Sequence, residues 1–310
     1  MYRMETEENV ELFMRFLRRN YNYYWLKTRL ERGKRIPDST NATLITGSSH
    51  ALNGIWEEAW ANALNCSMHS QDIYYDFRCA KEVVEGKAKF QRCFILFGYY
   101  IAYQDLSLSR GMRDYMVSPV YYPIFGDAHH WEKPEAQDRW KDFEGISAET
   151  RRRCEAWSEK IVYEENTYYS RFRRRKPFFD FGGRSWWELT EEEQENYGAQ
   201  RAEGHNSVLK YEESFYENQQ ILKDYVRFLY LNDVKPIVVI PPFSSVYNRH
   251  VDERLREAVT ELVQSPEETL GFVDFNKESI FDNRDFIDMD HLNENGAKKM
   301  SRLLAEKFGK

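Results

Sequence analysis

A serine, a histidine and an aspartate in this sequence have the residue types and order of an acyl-transfer site. Ser49 lies in the tetrapeptide Gly47-Ser48-Ser49-His50, directly after the apolar run Ala42-Thr43-Leu44-Ile45-Thr46. Near the other end of the chain, Asp288 and His291 are three residues apart. A serine hydroxyl is a poor nucleophile until an imidazole accepts its proton, and a carboxylate must orient that imidazole. We therefore interpret these three residues as a candidate catalytic triad.

Each part of this triad also has a plainer interpretation. A serine pair after a strand is often a helix N-cap, and an aspartate-rich loop with one histidine is often a solvated turn. Asp290 competes with Asp288 as the orienting carboxylate, but alternation of adjacent side chains predicts that Asp290 points away from His291. The order serine, aspartate, histidine, at the two ends of an α/β pattern, favours the catalytic interpretation with Asp288.

The elements that must position these residues alternate between strands and helices. Continuous apolar runs at 94–98 and 236–240 are typical of strands buried on both faces of a parallel sheet. Further strands are predicted at 42–46 and 272–275, and helices at 6–32, about 54–63, about 71–86, 211–231, 250–264 and 296–308. This alternation predicts an α/β fold with a mainly parallel sheet between two helical layers. We expect one domain over 1–310, with an N-terminal helical segment (1–36) and a helical, irregular insertion or lid-like subdomain (110–205).

The composition indicates a mildly acidic protein of 310 residues with a formal net charge of -7. Such a charge gives no general attraction for nucleic acid or for anionic membranes. The four cysteines lack C-x-x-C spacing, which predicts reduced thiols and no zinc or redox site. The acidic N-terminus, and the absence of any apolar run approaching about 18 residues, predict a cytoplasmic protein without a membrane segment.

One basic cluster stands out in this acidic chain: Arg171-Phe172-Arg173-Arg174-Arg175-Lys176. It has two interpretations. The first is a solvated helix face. The second is a docking site for an anionic group, such as a phosphorylated or acidic glycan or a nucleotide-linked donor.

The end motifs resemble a known superfamily. Gly47-Ser48-Ser49-His50 is similar to the first sequence block of the SGNH/GDSL hydrolases, and Asp288-x-x-His291 is similar to their last block. Within that superfamily, the likeness is closest to DltD-like proteins and related polysaccharide O-acylation proteins. It covers about 40–110 and 200–308, and it is supported by the segments 70–76, 217–222 and 241–244.

This resemblance implies an SGNH/flavodoxin-like three-layer α/β/α sandwich and acyl-ester chemistry that needs neither a metal nor another cofactor. It also implies oxyanion donors from the N–H group of Ser49 and from a second and a third sequence block. The second-block position is Ser70, and the third block begins at Gly98 without the asparagine found in the family. The resemblance therefore implies a catalytic serine whose oxyanion donors differ in part from the family pattern.

Three further residues are candidates for substrate binding: His50, Tyr100 and His205. His50 follows the candidate nucleophile directly, and it either lines the pocket or has a surface or capping role. His205 lies where DltD-like proteins carry an arginine and a histidine before a long helix, and it either reaches the site or makes a structural hydrogen bond.

These features together predict an SGNH-type serine esterase or O-acyltransferase. The resemblance implies that its substrate is an acyl group linked to a carbohydrate, in bacterial surface-polysaccharide metabolism, with protein partners from a glycan-modification pathway. The alternative is a non-catalytic SGNH-like binding or scaffold protein of such a system. The missing third-block asparagine favours that alternative, whereas the intact serine, aspartate and histidine oppose it.

Overall fold

A computed structural model describes residues 7–37, 41–85, 90–132, 134–164, 176–277 and 279–309. The chain forms two units: the first joins Met1–Glu31 to Leu106–Thr167, and the second joins Arg32–Asp105 to Tyr168–Lys310. The three candidate triad residues all lie in the second unit. Across the described ranges, no helix has both the length and the apolar character required to cross a lipid bilayer.

Within the described part of the second unit, five parallel strands form one sheet. Its order is β2-β1-β3-β4-β5, where the strands are β1 (Ala42–Gly47), β2 (Ala63–Asn65), β3 (Phe90–Leu96), β4 (Lys235–Ile240) and β5 (Gly271–Asp274). All six residues of β1 and the last five of β4 are buried. Helices covering both faces of the sheet account for these continuous apolar strands.

The described residues also form nine α-helices of six or more residues: α1 (Glu7–Lys34), α2 (Ser49–Gly54), α3 (Ile73–Val84), α4 (Ala148–Glu164), α5 (Glu191–Asn206), α6 (Glu212–Leu231), α7 (Ser245–His250), α8 (Glu253–Gln264) and α9 (Glu294–Phe308). Helices α3, α6 and α8 pack together in one layer, while α2 and α9 pack together in the other. The predicted α/β fold, with a parallel sheet between two helical layers, is confirmed.

Two helix boundaries differ from the sequence-based expectation. The helix predicted at about 54–63 is wrong, because α2 already begins at Ser49 and Glu57–Ala59 forms only a 3-10 turn. Helix α2 ends at Gly54, where an added Cβ would lie 3.1 Å from Met300 of α9. The helix predicted at 250–264 begins three residues later, at Glu253, because the Asp252 side chain caps the start of α8 by accepting a bond from the N–H of Arg254. A separate short helix, α7, ends at His250.

The strand order places β1 beside β3 in the middle of the sheet, with Gly47 opposite Leu96. The chain leaves β1 towards β2 on one side and leaves β3 towards β4 on the other. In open α/β sheets, a crevice forms at the carboxyl ends of two strands related in this way. Ser49 and Gly98 both follow within two residues of these strand ends, so the topology positions them at this crevice.

The first unit is built from α1, up to Glu31, and from the segment that contains α4. Phe16 of α1 stacks on Trp140 with ring centroids 4.0 Å apart, and Phe13 meets the edge of Trp157 on α4 at 5.5 Å. A nine-residue π-helix, Arg113–Tyr121, also lies in this unit. The region expected to be a single insertion, 110–205, is divided between the two units: its described residues up to Glu164 belong to the first unit, and α5 belongs to the second.

Gly47→Ala is expected to lower the free energy of unfolding by about 3 kcal/mol. Gly47 has a φ of +139°, and an added Cβ would lie 2.0 Å from the carbonyl oxygen of Leu96. Urea unfolding measures the change.

Gly204→Ala is the matched control, since Gly204 lies in α5 with no atom within 4 Å of an added Cβ. We expect this variant to be more stable than the wild type by about 0.5–1 kcal/mol, because alanine favours a helix. Equal stability of the two variants would contradict the steric role of Gly47.

Candidate functional site

Ser49 lies at a sharp turn between β1 and α2. Gly47 ends the strand with a backbone conformation that side chains rarely adopt, and Ser48 is the N-cap residue of α2. Ser49 is therefore the first residue of the helix, where a backbone N–H has no acceptor within the helix. The turn holds the Ser49 side chain at the carboxyl edge of the sheet, although only 9% of the residue surface is exposed.

The structure brings the three predicted triad residues together. The hydroxyl oxygen of Ser49 lies 2.9 Å from Nε2 of His291. On the other side of the ring, Nδ1 of His291 lies 3.0 Å from Oδ1 and 3.2 Å from Oδ2 of Asp288. All three residues are buried. This is the geometry required for a serine whose proton passes to an imidazole held by a carboxylate.

Asp288 is fixed by backbone donors as well as by the imidazole. Its Oδ1 accepts hydrogen bonds from the N–H of His291 at 2.8 Å and from the N–H of Asp290 at 3.2 Å. Its Oδ2 accepts a bond from the N–H of Phe178 at 2.9 Å. Hydrogen bonds to the Asp288 carboxylate thus hold residues 288–291 in a tight turn. The same bonds fix the carboxylate next to His291.

Asp290 does not point away from His291, so the expectation from side-chain alternation was wrong. Its Oδ1 lies 3.3 Å from Nδ1 of His291. Alternation applies to extended chain, whereas the Asp288 carboxylate folds this loop into a turn. Asp288 remains the better hydrogen-bond partner, because Oδ1 of Asp290 makes no hydrogen bond of acceptable geometry among the described residues.

His50 is buried against the triad, which removes the surface alternative for this residue. Its ring stacks on His291 with centroids 4.8 Å apart and an interplanar angle of 18°. Nδ1 of His50 lies 3.1 Å from the hydroxyl oxygen of Ser48, and its Nε2 lies 3.4 Å from Oδ2 of Asp290. His50 therefore contacts the imidazole of the triad directly.

Tyr100 and His205 form a buried layer beside His50. Their rings stack with centroids 3.8 Å apart, and Tyr100 lies 6.1 Å from the His50 ring. Nδ1 of His205 lies 2.5 Å from the hydroxyl oxygen of Tyr247 on α7. His205 thus makes the structural hydrogen bond that was one of its two interpretations. The structure places all three predicted substrate-binding residues in one cluster at the triad.

The electrostatic environment distinguishes the two stacked imidazoles. Burial lowers the pKa of His50 to about 4, so this ring is neutral at neutral pH. Burial also opposes protonation of His291, but the carboxylates of Asp288 and Asp290 outweigh it and raise the pKa of His291 to about 9. The site therefore stabilises an imidazolium at His291, the species that forms when the ring accepts the proton of Ser49.

The predicted oxyanion donors follow three neighbouring strands. Besides Ser49, Ser70 lies in the loop after β2 with a left-handed φ of 58°, a conformation that favours glycine. Gln104 donates a hydrogen bond to the carbonyl oxygen of Ser70 at 2.8 Å. Gly98 follows β3, and an added Cβ there would lie 2.9 Å from the Tyr100 ring. Their role as oxyanion donors stays a prediction.

One group of side chains at the site has atoms suited to binding a metal. His50, Asp290 and His291 place potential ligand atoms within 4.8 Å of one another. Both ring nitrogens of His291 already have partners, and Nη2 of Arg201 lies 2.9 Å from Asp290. A fixed positive charge at that distance repels a divalent cation. We therefore assign no metal to this group.

Two contributors to the site were not among the predicted site residues, and most of one predicted feature, the basic cluster, lies outside the described part of the chain. Arg201 pairs with Asp290, and its position four residues before His205, on the same helical face, was the available signal. The N–H of Phe178 left no signal, because a backbone donor does not depend on residue type. Residues 171–175 of the predicted basic cluster lie outside the described residues.

The raised pKa of His291 predicts how stability changes with pH. A group whose pKa is higher in the folded state stabilises the protein below its unfolded pKa, and this contribution is lost as the pH rises through the folded pKa. For His291 the window runs from 6.5 to about 9. We expect the stability difference between the wild type and His291→Gln to fall by about 3 kcal/mol across this window.

Urea unfolding of both proteins at several pH values measures this difference, in which the other titrating groups largely cancel. A difference that stays constant, or grows, as the pH rises would contradict the assignment of an ion-paired imidazolium at His291.

Comparison of the sequence with protein families and with curated proteins identifies no relative. No protein-family model matches the sequence, and no curated protein matches it. The site is therefore described by its own residues: a buried serine, histidine and aspartate in hydrogen-bond contact, with a second aspartate and an arginine beside them.

Proposed function

We propose that this chain is a serine esterase or O-acyltransferase of the SGNH type. The observation that carries the proposal is the hydrogen-bonded line from Ser49 through His291 to Asp288, with distances of 2.9 Å and 3.0 Å, at the carboxyl edge of a parallel sheet. The sequence likeness around Ser49 and Asp288-x-x-His291 supports the same chemistry. The acidic overall charge and the neutral stacked rings beside the site favour an uncharged acyl ester over a phosphate ester.

The first half-reaction starts from the deprotonated form of His291, whose population rises as the pH approaches its pKa of about 9. Oγ of Ser49 attacks the acyl carbonyl carbon while its proton moves to Nε2 of this neutral ring. Asp288 holds Nδ1–H and stabilises the imidazolium. The carbonyl oxygen becomes an oxyanion, for which the N–H groups of Ser49, Ser70 and Gly98 are the proposed donors. When this intermediate collapses, the bond to the leaving alcohol breaks and Nε2 of His291 returns the proton to the alcohol oxygen.

The second half-reaction releases the acyl group from Ser49. A hydroxyl group, from water in an esterase or from a sugar in a transferase, gives its proton to His291 and attacks the acyl carbon. The bond to Oγ of Ser49 then breaks, and the serine regains its proton. Ser49 and His291 are 9% and 8% exposed, so either acceptor must approach an acyl group that is largely buried.

The proposed substrate is an acyl group linked to a carbohydrate. Its support is the likeness to DltD-like and polysaccharide O-acylation proteins, which spans the segments that carry the site. The proposed partners are other proteins of a glycan-modification pathway, for the same reason.

A fluorophosphonate probe is expected to label the wild type on Ser49. Ser49→Ala should lose labelling completely, because the attacking oxygen is gone. His291→Gln should slow labelling by about 10³-fold or more, because no base accepts the serine proton. Mass spectrometry of the labelled peptide measures the site, and Ser48→Ala is the neighbouring control that should still carry the label on Ser49.

Absence of labelling in the wild type, together with p-nitrophenyl acetate hydrolysis no faster than that of Ser49→Ala, would reject the esterase proposal. That outcome would favour the non-catalytic alternative over hydrolysis. One observation favours this alternative: the third block, Gly98-Tyr99-Tyr100, supplies no side-chain amide. Its two tyrosines have other partners, because Tyr99 donates its hydroxyl to Asp274 and Tyr100 stacks on His205.

A further inference from the structure

A buried ion pair lies directly behind the triad. Asp290 is fully buried, and its Oδ2 lies 3.0 Å from Nε and 2.9 Å from Nη2 of Arg201. The guanidinium of Arg201 also lies over the Phe178 ring, 3.9 Å from its centroid. The two charges come from different parts of the fold, because Arg201 belongs to α5 and Asp290 to the loop before α9. Their pairing is therefore a product of tertiary structure.

Asp290 contacts both stacked imidazoles. Oδ1 of Asp290 lies 3.3 Å from Nδ1 of His291 and has no hydrogen-bond partner of acceptable geometry among the described residues. Its Oδ2, shared with Arg201, lies 3.4 Å from Nε2 of His50. The oxygen nearer His291 is thus held in place by the pair at the other oxygen, without being occupied by another donor.

The remaining titratable groups around His291 are neutral near pH 7. Burial lowers the pKa values of His50 on α2 and His205 on α5, and it raises those of Tyr100 after β3 and Tyr247 on α7. The charged groups facing the ring are then three: Asp288 and Asp290, which are negative, and Arg201, which is positive. They leave one net negative charge around the imidazole. Protonation of His291 makes the cluster neutral.

We propose that Asp290 and Arg201 are positioning residues that together set how readily His291 accepts a proton. Asp290 supplies a second anion at the ring, and Arg201 offsets part of that charge while fixing the carboxylate. The inference rests on the proposed function for its catalytic meaning. Its electrostatic content can be measured separately, on the imidazole itself.

The two partners of the pair have opposite expected effects. In Asp290→Asn, the ring loses an anion, and its titration midpoint should fall by about one pH unit or more. In Arg201→Gln, the anion loses its compensating charge, and the midpoint should rise by a similar amount. In the double variant both changes are present, and the midpoint should lie within about half a unit of the wild type. A purely structural role would not produce shifts of opposite sign.

Two measurements on the 310-residue chain test this. The first is the pH dependence of the fluorophosphonate labelling rate, whose rising limb reports the neutral form of His291. The second is the NMR titration of the His291 ring protons, assigned by their loss in His291→Gln. Arg184→Gln is the matched control. Arg184 also pairs with a carboxylate, that of Glu193 on α5, but this pair lies at the protein surface. This control should leave both midpoints unchanged.

Shifts of the same sign in the two single variants, or shifts below about 0.3 pH unit in both, would overturn the proposal. Arg201→Lys guards against loss of folding in Arg201→Gln. It keeps the charge, so its midpoint should match the wild type, and a rise in this variant would also overturn the proposal. If Ser49 is never labelled but the NMR midpoints shift as stated, the proposed function fails while the electrostatic inference stands.

Discussion

In the proposed function, the imidazole of His291 gains and loses a positive charge at a site where it is only 8% exposed. A buried cation is unfavourable unless anions face it, and buried anions in turn need donors or cations of their own. Each layer of the site meets one of these needs. Asp288 faces the ring and is held by three backbone N–H groups, whereas Asp290 faces the ring and is held by Arg201. The neutral rings of His50, Tyr100 and His205 exclude further charge.

The parallel sheet makes this arrangement possible from segments that are far apart in sequence. The turn after β1 supplies Ser49, and the turn after β3 supplies Tyr100. Helix α5 adds Arg201 and His205, and the loop before α9 adds Asp288 through His291. The carboxyl ends of neighbouring parallel strands lie at one edge, so short excursions beyond the strands suffice to bring these groups together. The close approach of Gly47 to Leu96 shows how tightly the first of these turns is confined.

The sequence alone predicted the fold class, and it named the serine, histidine and aspartate that the structure brings into contact. These succeeded because apolar strand runs and short motifs are local signals. The predicted orientation of the Asp290 side chain was wrong, because hydrogen bonds to the Asp288 carboxylate fold this loop into a turn, to which the alternation of an extended chain does not apply. The predicted start of the second helix, at about residue 54, was wrong because α2 begins at Ser49, directly after the turn at Gly47. The Arg201–Asp290 pair depends on where α5 packs, which helical periodicity does not encode.

Phe178 illustrates a different kind of dependence. It fixes Asp288 through its peptide N–H alone, at 2.9 Å, while its side chain is largely exposed. Every amino acid except proline carries that donor. The contact with Asp288 therefore constrains the path of the backbone and sets no requirement on the side chain of residue 178, whose ring packs instead against the guanidinium of Arg201. Proteins that share this support for the carboxylate of Asp288 need show no common residue at this position for that contact, and superposition of their backbones would reveal it where alignment of their sequences would not.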